Sequence, residues 1–181
     1  MKARLITFGL CPIALVLLAG CSTAPVTESG REAVVAQGAA AMNAFTRTDP
    51  TLSQLLNKSA GYAVFPSITK GGAGLAGAYG RGVLYQGNQV VGYCDVSQGT
   101  LGLQLGGENY RELVVFRDSD ALARFKAGDF TFAAGASAVA AKAGAASNAP
   151  YERGVIVFTQ SITGLMFEAA IGGQNFSYVP K

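Results

Sequence analysis

The sequence predicts an α+β fold: a strongly bent antiparallel sheet or barrel-like sandwich of about eight strands, with two N-terminal helices and one short inserted helix. Beyond residue 61, apolar residues alternate with period two in stretches that turn signals separate, which favours hairpins over βαβ units. Glycine recurs inside successive predicted strands, as it does in sheets that bend sharply. Half of the 181 residues are apolar and 14% are charged, so one core of useful size is available.

The first twenty residues have the composition of a secretory signal. Lys2 and Arg4 precede an apolar run that is too short for a comfortable transmembrane helix. The sequence Leu-Ala-Gly-Cys that ends at Cys21 resembles the lipobox of bacterial lipoproteins, in which the cysteine carries a diacylglycerol and becomes the new N-terminus. An ordinary cleaved signal with an incidental cysteine is the alternative.

The lipobox therefore predicts lipid attachment at Cys21 and three segments along the chain. Residues 1–20 are the lipoprotein signal peptide, 21–30 the lipidated tether and 31–181 the folded domain. Ser22 stands where an aspartate would favour the inner membrane, so we expect an outer-membrane protein that faces the periplasm, with surface exposure as an alternative.

The helices are predicted from composition and end signals. The alanine-rich segment 28–45 reads as a helix, and Asp49-Pro50 predicts the start of a second, short one that carries Leu52, Leu55 and Leu56. Asp118-Ser119 predicts the cap of a helix that Gly128 ends. Residues 131–146 fit either a helix or a second strand of small residues, and we predict the strand.

The strands follow from period-two stretches between turn signals. Pro66 is expected to end the first strand, and Gly87-Asn88 is a hairpin signal. The predicted strands are 63–65, 70–86, 89–97, 100–107, 110–117, 154–160, 164–172 and 176–179.

The stretch KGGAGLAGAYGRG, residues 70–82, has one face that is almost bare. Alternation puts only small residues on that face: Gly72, Gly74, Ala76, Ala78, Gly80 and Gly82. Something must therefore pack very close to this backbone, and a helix, another sheet layer or an acyl chain would fit. The stretch also contains Gly-x-Gly-x-x-Gly, but a nucleotide site would need it to open a helix, whereas a strand is predicted.

Composition excludes several function classes. The chain has no histidine, the commonest general base and zinc ligand, so we predict no metal, no cofactor and no catalysis. Its charge is close to balanced without Lys2 and Arg4, which does not fit a nucleic-acid partner. Glu168 and Asp95 are the carboxylates that an enzyme would use, the weakest alternative, and Arg111-Glu112 reads as a surface pair. Cys94 is expected to be buried and unpaired.

Cations beside the glycine-rich stretch suit an anionic ligand. Lys70 and Arg81 flank it, and glycine backbone can offer N–H groups to an anion. With Tyr79, whose amphipathic ring suits a membrane interface, they are predicted to contact lipid headgroups. Ordinary solvated residues at strand ends are the alternative.

An ordered series of motifs resembles the SYLF domain, a lipid-binding family also described as an actin-regulator family in fungi. The motifs are GYAVFPSITKGGAGLAGAYGRGVLY, VGYCDVSQGTLGLQLGGENYRELVVF, DALARF and GVIVFTQSITGLMFEAAIGG. The resemblance implies a non-catalytic domain that binds phospholipid, and it places Lys70 and Arg81 at basic positions of the family. The family's basic N-terminal helix is not matched, because residues 28–45 carry only Arg31, so phosphoinositide and actin are not expected partners.

The resulting expectation is a lipoprotein that contacts membrane lipids through Cys21 and binds a phospholipid or similar amphiphile in its domain. The alternative is a structural cell-envelope lipoprotein with no ligand beyond its own anchor.

Overall fold

A computed structural model describes residues 27–129, 131–133 and 138–181, without the side chains of 74, 101–104, 131–133, 138 and 164–172. Within this part of the chain, four helices and five strands follow in sequence: α1 Glu28–Thr48, α2 Leu52–Lys58, β1 Gly61–Gln86, β2 Gln89–Phe116, α3 Ser119–Ala127, β3 Thr131–Ala133, β4 Ala138–Ala140, α4 Ala145–Asn148 and β5 Val155–Pro180.

All five strands belong to one sheet, with the order β1-β2-β5-β3 and with β4 paired to β5. β1 and β2 form a long antiparallel hairpin, in which Gln86 pairs with Gln89 across the predicted Gly87-Asn88 turn. β5 runs antiparallel to β2 along nearly its whole length, whereas the short β4 is parallel to β5. In the described chain β1 is paired only with β2, so the sheet remains open.

The three long strands fold in half, so that the sheet packs against itself. Residues 61–68, 110–116 and 155–161 form what we call the first layer, and residues 76–86, 89–100 and 173–180 the second layer. The Phe65 ring of the first layer lies 5.6 Å from the Phe176 ring of the second, centroid to centroid, and Phe125 of α3 lies 5.4 Å from Phe176. One apolar core therefore fills the space between the layers. The predicted class, a strongly bent α+β sheet with a few helices, is confirmed.

The bare face of the glycine-rich stretch is covered by the first half of its own strand. A Cβ added at Gly82 would lie 2.7 Å from the Phe65 ring and from the Val64 carbonyl oxygen. One added at Gly80 would lie 2.6 Å from Ile68. The partner is thus another sheet layer, and protein atoms occupy the place where an acyl chain was considered.

Helices cover the outer face of the first layer. The second half of α1, α2 and α4 pack on that face and contribute Phe45, Leu52 and Ala146 to a second core. The first half of α1 reaches the second layer, where Val34 packs against Val83 and Tyr93. α3 is capped by Asp118, which accepts a hydrogen bond from the Ala121 N–H, and ends at Gly128 in the left-handed conformation, as predicted.

The number of strands differs from the prediction because neighbouring segments are continuous. Pro66 does not end its strand; it lies at a register shift between Phe65 and Ile68, where proline costs no ladder hydrogen bond. The segments 100–107 and 110–117 are both parts of β2, and the last three predicted strands are parts of β5. In the segment 131–146, β3 and β4 agree with the predicted strand, but a helical turn, α4, replaces its end.

Asp49 does not cap α2 as predicted. The helix begins at Leu52, its N-cap position is Thr51, and Asp49 instead follows the last residue of α1. The Asp49 carboxylate is fully buried and accepts hydrogen bonds from the Thr51 N–H and hydroxyl and from the N–H groups of Gly144 and Ala146. It therefore joins the end of α1 to α2 and α4.

Candidate functional site

Two large apolar side chains stand in solvent where the sheet bends. Leu75 is 65% exposed and Leu105 is 70% exposed. Leu105 pairs with Ala73 on one side and with Phe167 on the other, so it lies in the middle of three strands. We call Ala73, Leu75 and Leu105 the bend surface. Contiguous exposed apolar residues of this kind mark contact sites with proteins, membranes or ligands.

The outer face of β1 changes in character along its length. From Leu75 at the bend, alternation leads to Tyr79 and then to Arg81, and all three side chains are exposed. With a rise of about 3.3 Å per residue, Tyr79 lies about 13 Å and Arg81 about 20 Å from Leu75 along the strand. An apolar residue is thus followed by an aromatic residue and a cation, the order in which these side chains occur across a membrane interface.

Arg81 and Tyr79 belong to a hydrogen-bonded row on this face. The Tyr79 hydroxyl accepts from Arg81 Nε at 3.1 Å and donates to the Asp95 carboxylate at 3.1 Å, and Ser177 also donates to Asp95. The hydrogen bond and charge interaction with Tyr79, with a smaller effect of Asp95, raise the pKa of Arg81. The guanidinium is therefore held in place yet open to solvent.

Lys70 lies on the other face of the sheet from Arg81. It is 8% exposed, on the interlayer side of β1 together with Ile68, and its register partner on β2 is Glu108. The structure thus brings Tyr79 and Arg81 together but separates Lys70 from them. Contact of these three residues with lipid headgroups remains a prediction.

The four glycines proposed for close backbone approach have different surroundings. Gly80 and Gly82 are packed against the first layer, as described above. Gly72 has φ +157°, and an added Cβ there would meet the Leu75 carbonyl oxygen, so this residue belongs to the bend itself. Gly74 lies in β1, and its surroundings fall outside the described part of the structure.

A polar cluster lies between the layers, and the sequence did not predict it. Glu112 of the first layer is 1% exposed, and one oxygen of its carboxyl accepts a hydrogen bond from Gln174 of the second layer at 2.9 Å. Among the residues that the structure describes, its other oxygen, Oε1, has no hydrogen-bond partner, and neither has Nε2 of the buried Gln98, whose register partner is Gln174. Burial raises the pKa of Glu112 to about 7, although the hydrogen bond from Gln174 lowers it.

The expected Arg111-Glu112 surface pair is wrong. Successive strand residues point to opposite faces, so Arg111 faces outward and donates to Gln160, whereas Glu112 faces the core. The sequence signal for this burial is a carboxylate directly before the apolar run LVVF of a predicted strand. The bend surface also has a sequence signal. The leucines of LGLQLGG alternate along a predicted strand, and no predicted element covers the face that they share.

Of the two candidate catalytic carboxylates, the structure describes the side chain of Asp95. Asp95 is buried and receives the hydrogen bonds of Tyr79 and Ser177. Burial strongly raises the pKa of the Cys94 thiol, and Cys94 is unpaired as predicted. Glu168 lies in β5, but its side chain is outside the described part.

The described residues contain neither a candidate metal site nor a helix that could cross a membrane. No group of three or more His, Cys, Asp or Glu side chains is placed to hold a metal there. Of the helices in that part, none combines the length and the apolar character needed to cross a membrane. Cys21, the predicted lipid attachment site, lies outside the described residues.

One comparison with known proteins finds a family model that matches part of the chain. Residues 97–178 match the family model Ysc84, described as Las17-binding protein actin regulator. The matched segment contains α3, nearly all of β5 and most of β2, and thus Leu105, Glu112 and Gln174. No curated protein matches the chain.

Proposed function

We propose that this protein is a non-catalytic binding protein for phospholipid or a similar amphiphile, because residues 97–178 match the model of the Ysc84 (SYLF) family, a family of lipid-binding and regulatory domains. It is anchored to the outer membrane through an acylated Cys21. The observation that supports this function best is the bend surface, with Leu75 and Leu105 mostly exposed.

The bend surface enters the lipid in this proposal. Leu75 and Leu105 reach the acyl chains, Tyr79 lies at the interface, and Arg81 meets the headgroups about 20 Å from Leu75. This spacing suits one leaflet of a bilayer, whose hydrocarbon core is about 30 Å thick in total.

The anchor and the bend surface act together. Burial of two leucine side chains provides about 4 kcal/mol, which alone corresponds to a Kd of about 1 mM. Such weak contact becomes effective when acylation at Cys21 keeps the domain at the membrane surface.

The test is co-sedimentation of residues 22–181, which contain every described element, with phosphatidylcholine vesicles at lipid concentrations up to about 5 mM. We expect measurable binding that falls several-fold in the double variant Leu75→Ser and Leu105→Ser. The matched control, Ala33→Ser with Ala36→Ser, changes two exposed apolar residues of α1 and should bind as the original chain does. Equal binding of both variants would exclude the bend surface as the lipid contact.

Headgroup contact is tested separately with vesicles that contain anionic lipid. We expect Arg81→Gln to weaken binding to these vesicles, and Lys70→Gln to have little effect on binding because its side chain lies between the layers. An equal loss in both variants would contradict this assignment. Absence of binding at every lipid composition would favour the structural envelope lipoprotein.

A further inference from the structure

We propose that Glu112 is a proton-dependent latch between the two layers of the folded sheet: the neutral carboxyl holds the layers together, and its ionisation loosens them. The proposal goes beyond the binding function and does not depend on it. It rests on a cluster of three buried side chains, Glu112, Gln174 and Gln98.

The Gln174–Glu112 hydrogen bond is a polar contact across the core. Glu112 lies on β2 in the first layer and Gln174 on β5 in the second, and both side chains are buried. The surrounding interlayer contacts are apolar, as between Phe65 and Phe176. A change in the charge of Glu112 therefore acts on the closure of the layers.

The cluster accommodates a neutral carboxyl better than a carboxylate. Within the described part of the chain, the one hydrogen bond to Glu112 comes from an uncharged amide, and Oε1 has no partner. The buried amide Nε2 of Gln98 is also unpartnered, so it does not supply the missing bond. A buried carboxylate with one neutral donor is costly, which is why burial holds the pKa of Glu112 at about 7.

Other titratable groups face the same space or border it. On the interlayer side, strand alternation places five of them: Lys70, Cys94, Glu108, Tyr110 and Tyr178. The charged residues of α3, Asp120, Arg124 and Lys126, lie at its solvent side, where Lys126 donates to Gln86 and stacks over the Tyr178 ring. Among the described residues, none of these groups donates a hydrogen bond to Glu112. Ionisation therefore acts through the cost of burying the charge, which the bond from Gln174 only partly offsets.

Amide hydrogen exchange measures the loosening. If opening exposes Glu112 to water, its pKa falls from about 7 towards the ordinary 4.5 in the open form. By linkage the opening constant then rises about 30-fold between pH 5.5 and pH 8.5. We expect protection factors in β2 around residue 112 and in β5 around residue 174, corrected for intrinsic exchange rates, to fall by that amount.

Two variants and one control distinguish ionisation of Glu112 from a loss of stability at high pH that other groups cause. In Glu112→Gln, which keeps the shape without the charge, the pH dependence should disappear. In Gln174→Leu, which removes the bond that lowers the pKa of Glu112 in the closed form, loosening should begin at the same pH, continue to higher pH and become larger. Glu32→Gln, a change of an exposed carboxylate on α1, should behave as the original chain. Constant protection in the unaltered chain, or an unchanged pH response in Glu112→Gln, would overturn the proposal.

Discussion

At the scale of single residues, two buried carboxylates are held in opposite ways. Asp49 accepts four hydrogen bonds, from Thr51, Gly144 and Ala146, and Glu112 accepts one. Burial by itself raises the pKa of each. For Asp49 the hydrogen bonds outweigh that effect and lower its pKa below the ordinary value, whereas for Glu112 burial dominates. The number of donors therefore decides whether a buried carboxyl stabilises the fold as an anion or as an acid.

Asp49→Asn should destabilise the protein. An amide in this position offers one acceptor oxygen and places its NH₂ group against backbone donors, so buried N–H groups lose their partner. We expect a loss of about 2–3 kcal/mol in the free energy of unfolding, or a Tm lower by about 5–10 °C. Thermal unfolding followed by circular dichroism measures it. Asp129→Asn, at an exposed aspartate, is the control; equal melting temperatures for the two variants would contradict the proposed role of Asp49.

The same residues show what a sequence can and cannot reveal. The Asp49-Pro50 pair is a local helix signal and Thr51 is a local partner, but the other partners of Asp49, Gly144 and Ala146, are almost a hundred positions away. No local pattern indicates such a contact. Glu112 was misread for a different reason, because the adjacent Arg111 suggested a pair that strand alternation forbids.

At the scale of elements, β1 shows how a strand packs against itself. Its second half carries glycine where its first half carries Phe65 and Ile68, so the small face and the large face fit together. The alternation of small residues was predicted from the sequence, and so was the need for a close partner. The identity of the partner was not predicted, because it depends on where the strand bends, and the bend places Val64 near Gly82.

Two glycines of β1 give a matched test of this packing. Gly82→Val would force a branched side chain into the Phe65 ring and the Val64 carbonyl, and we expect a loss of more than about 3 kcal/mol. Gly77 lies on the exposed outer face, where an added Cβ would be 3.9 Å from the Gln98 carbonyl oxygen. Gly77→Val should therefore change the free energy of unfolding little. Urea unfolding compares the two, and similar midpoints would refute the self-packing of β1.

At the scale of the whole molecule, Asp49 limits stability at low pH and Glu112 limits it at high pH. The pKa of Asp49 is depressed, so its contribution is present above the ordinary value of 3.8 and is lost as pH falls below it. The pKa of Glu112 is raised, so the folded state binds more protons than the unfolded state between pH 4.5 and about 7. Stability is therefore lost as pH rises through that range.

The pH profile of stability should reflect both limits. Considering these two groups, we expect a maximum near pH 4.5 and a decline of up to roughly 3 kcal/mol by pH 8. Chemical denaturation across this range measures the profile. Glu112→Gln should flatten the alkaline side and Asp49→Asn the acid side; a decline that persists unchanged in Glu112→Gln would assign it to other groups.

The fold class, the three main helices and the Gly87-Asn88 turn were all predicted, because each depends on local signals. The joining of short segments into long strands was not predicted, since glycine and proline occur both where a strand bends and where it ends.

The turn at Gly87-Asn88 also sets an order of folding events. Gln86 and Gln89 pair across two intervening residues, whereas the pairs Gly61–Phe116 and Gly92–Pro180 join residues that are far apart in the sequence. Because loop closure costs more entropy as the loop lengthens, we expect the β1–β2 hairpin to form from its turn towards Gly61 and Phe116 and β5 to pair last. Until β5 pairs with β2, the hairpin presents a long unpaired edge that invites aggregation.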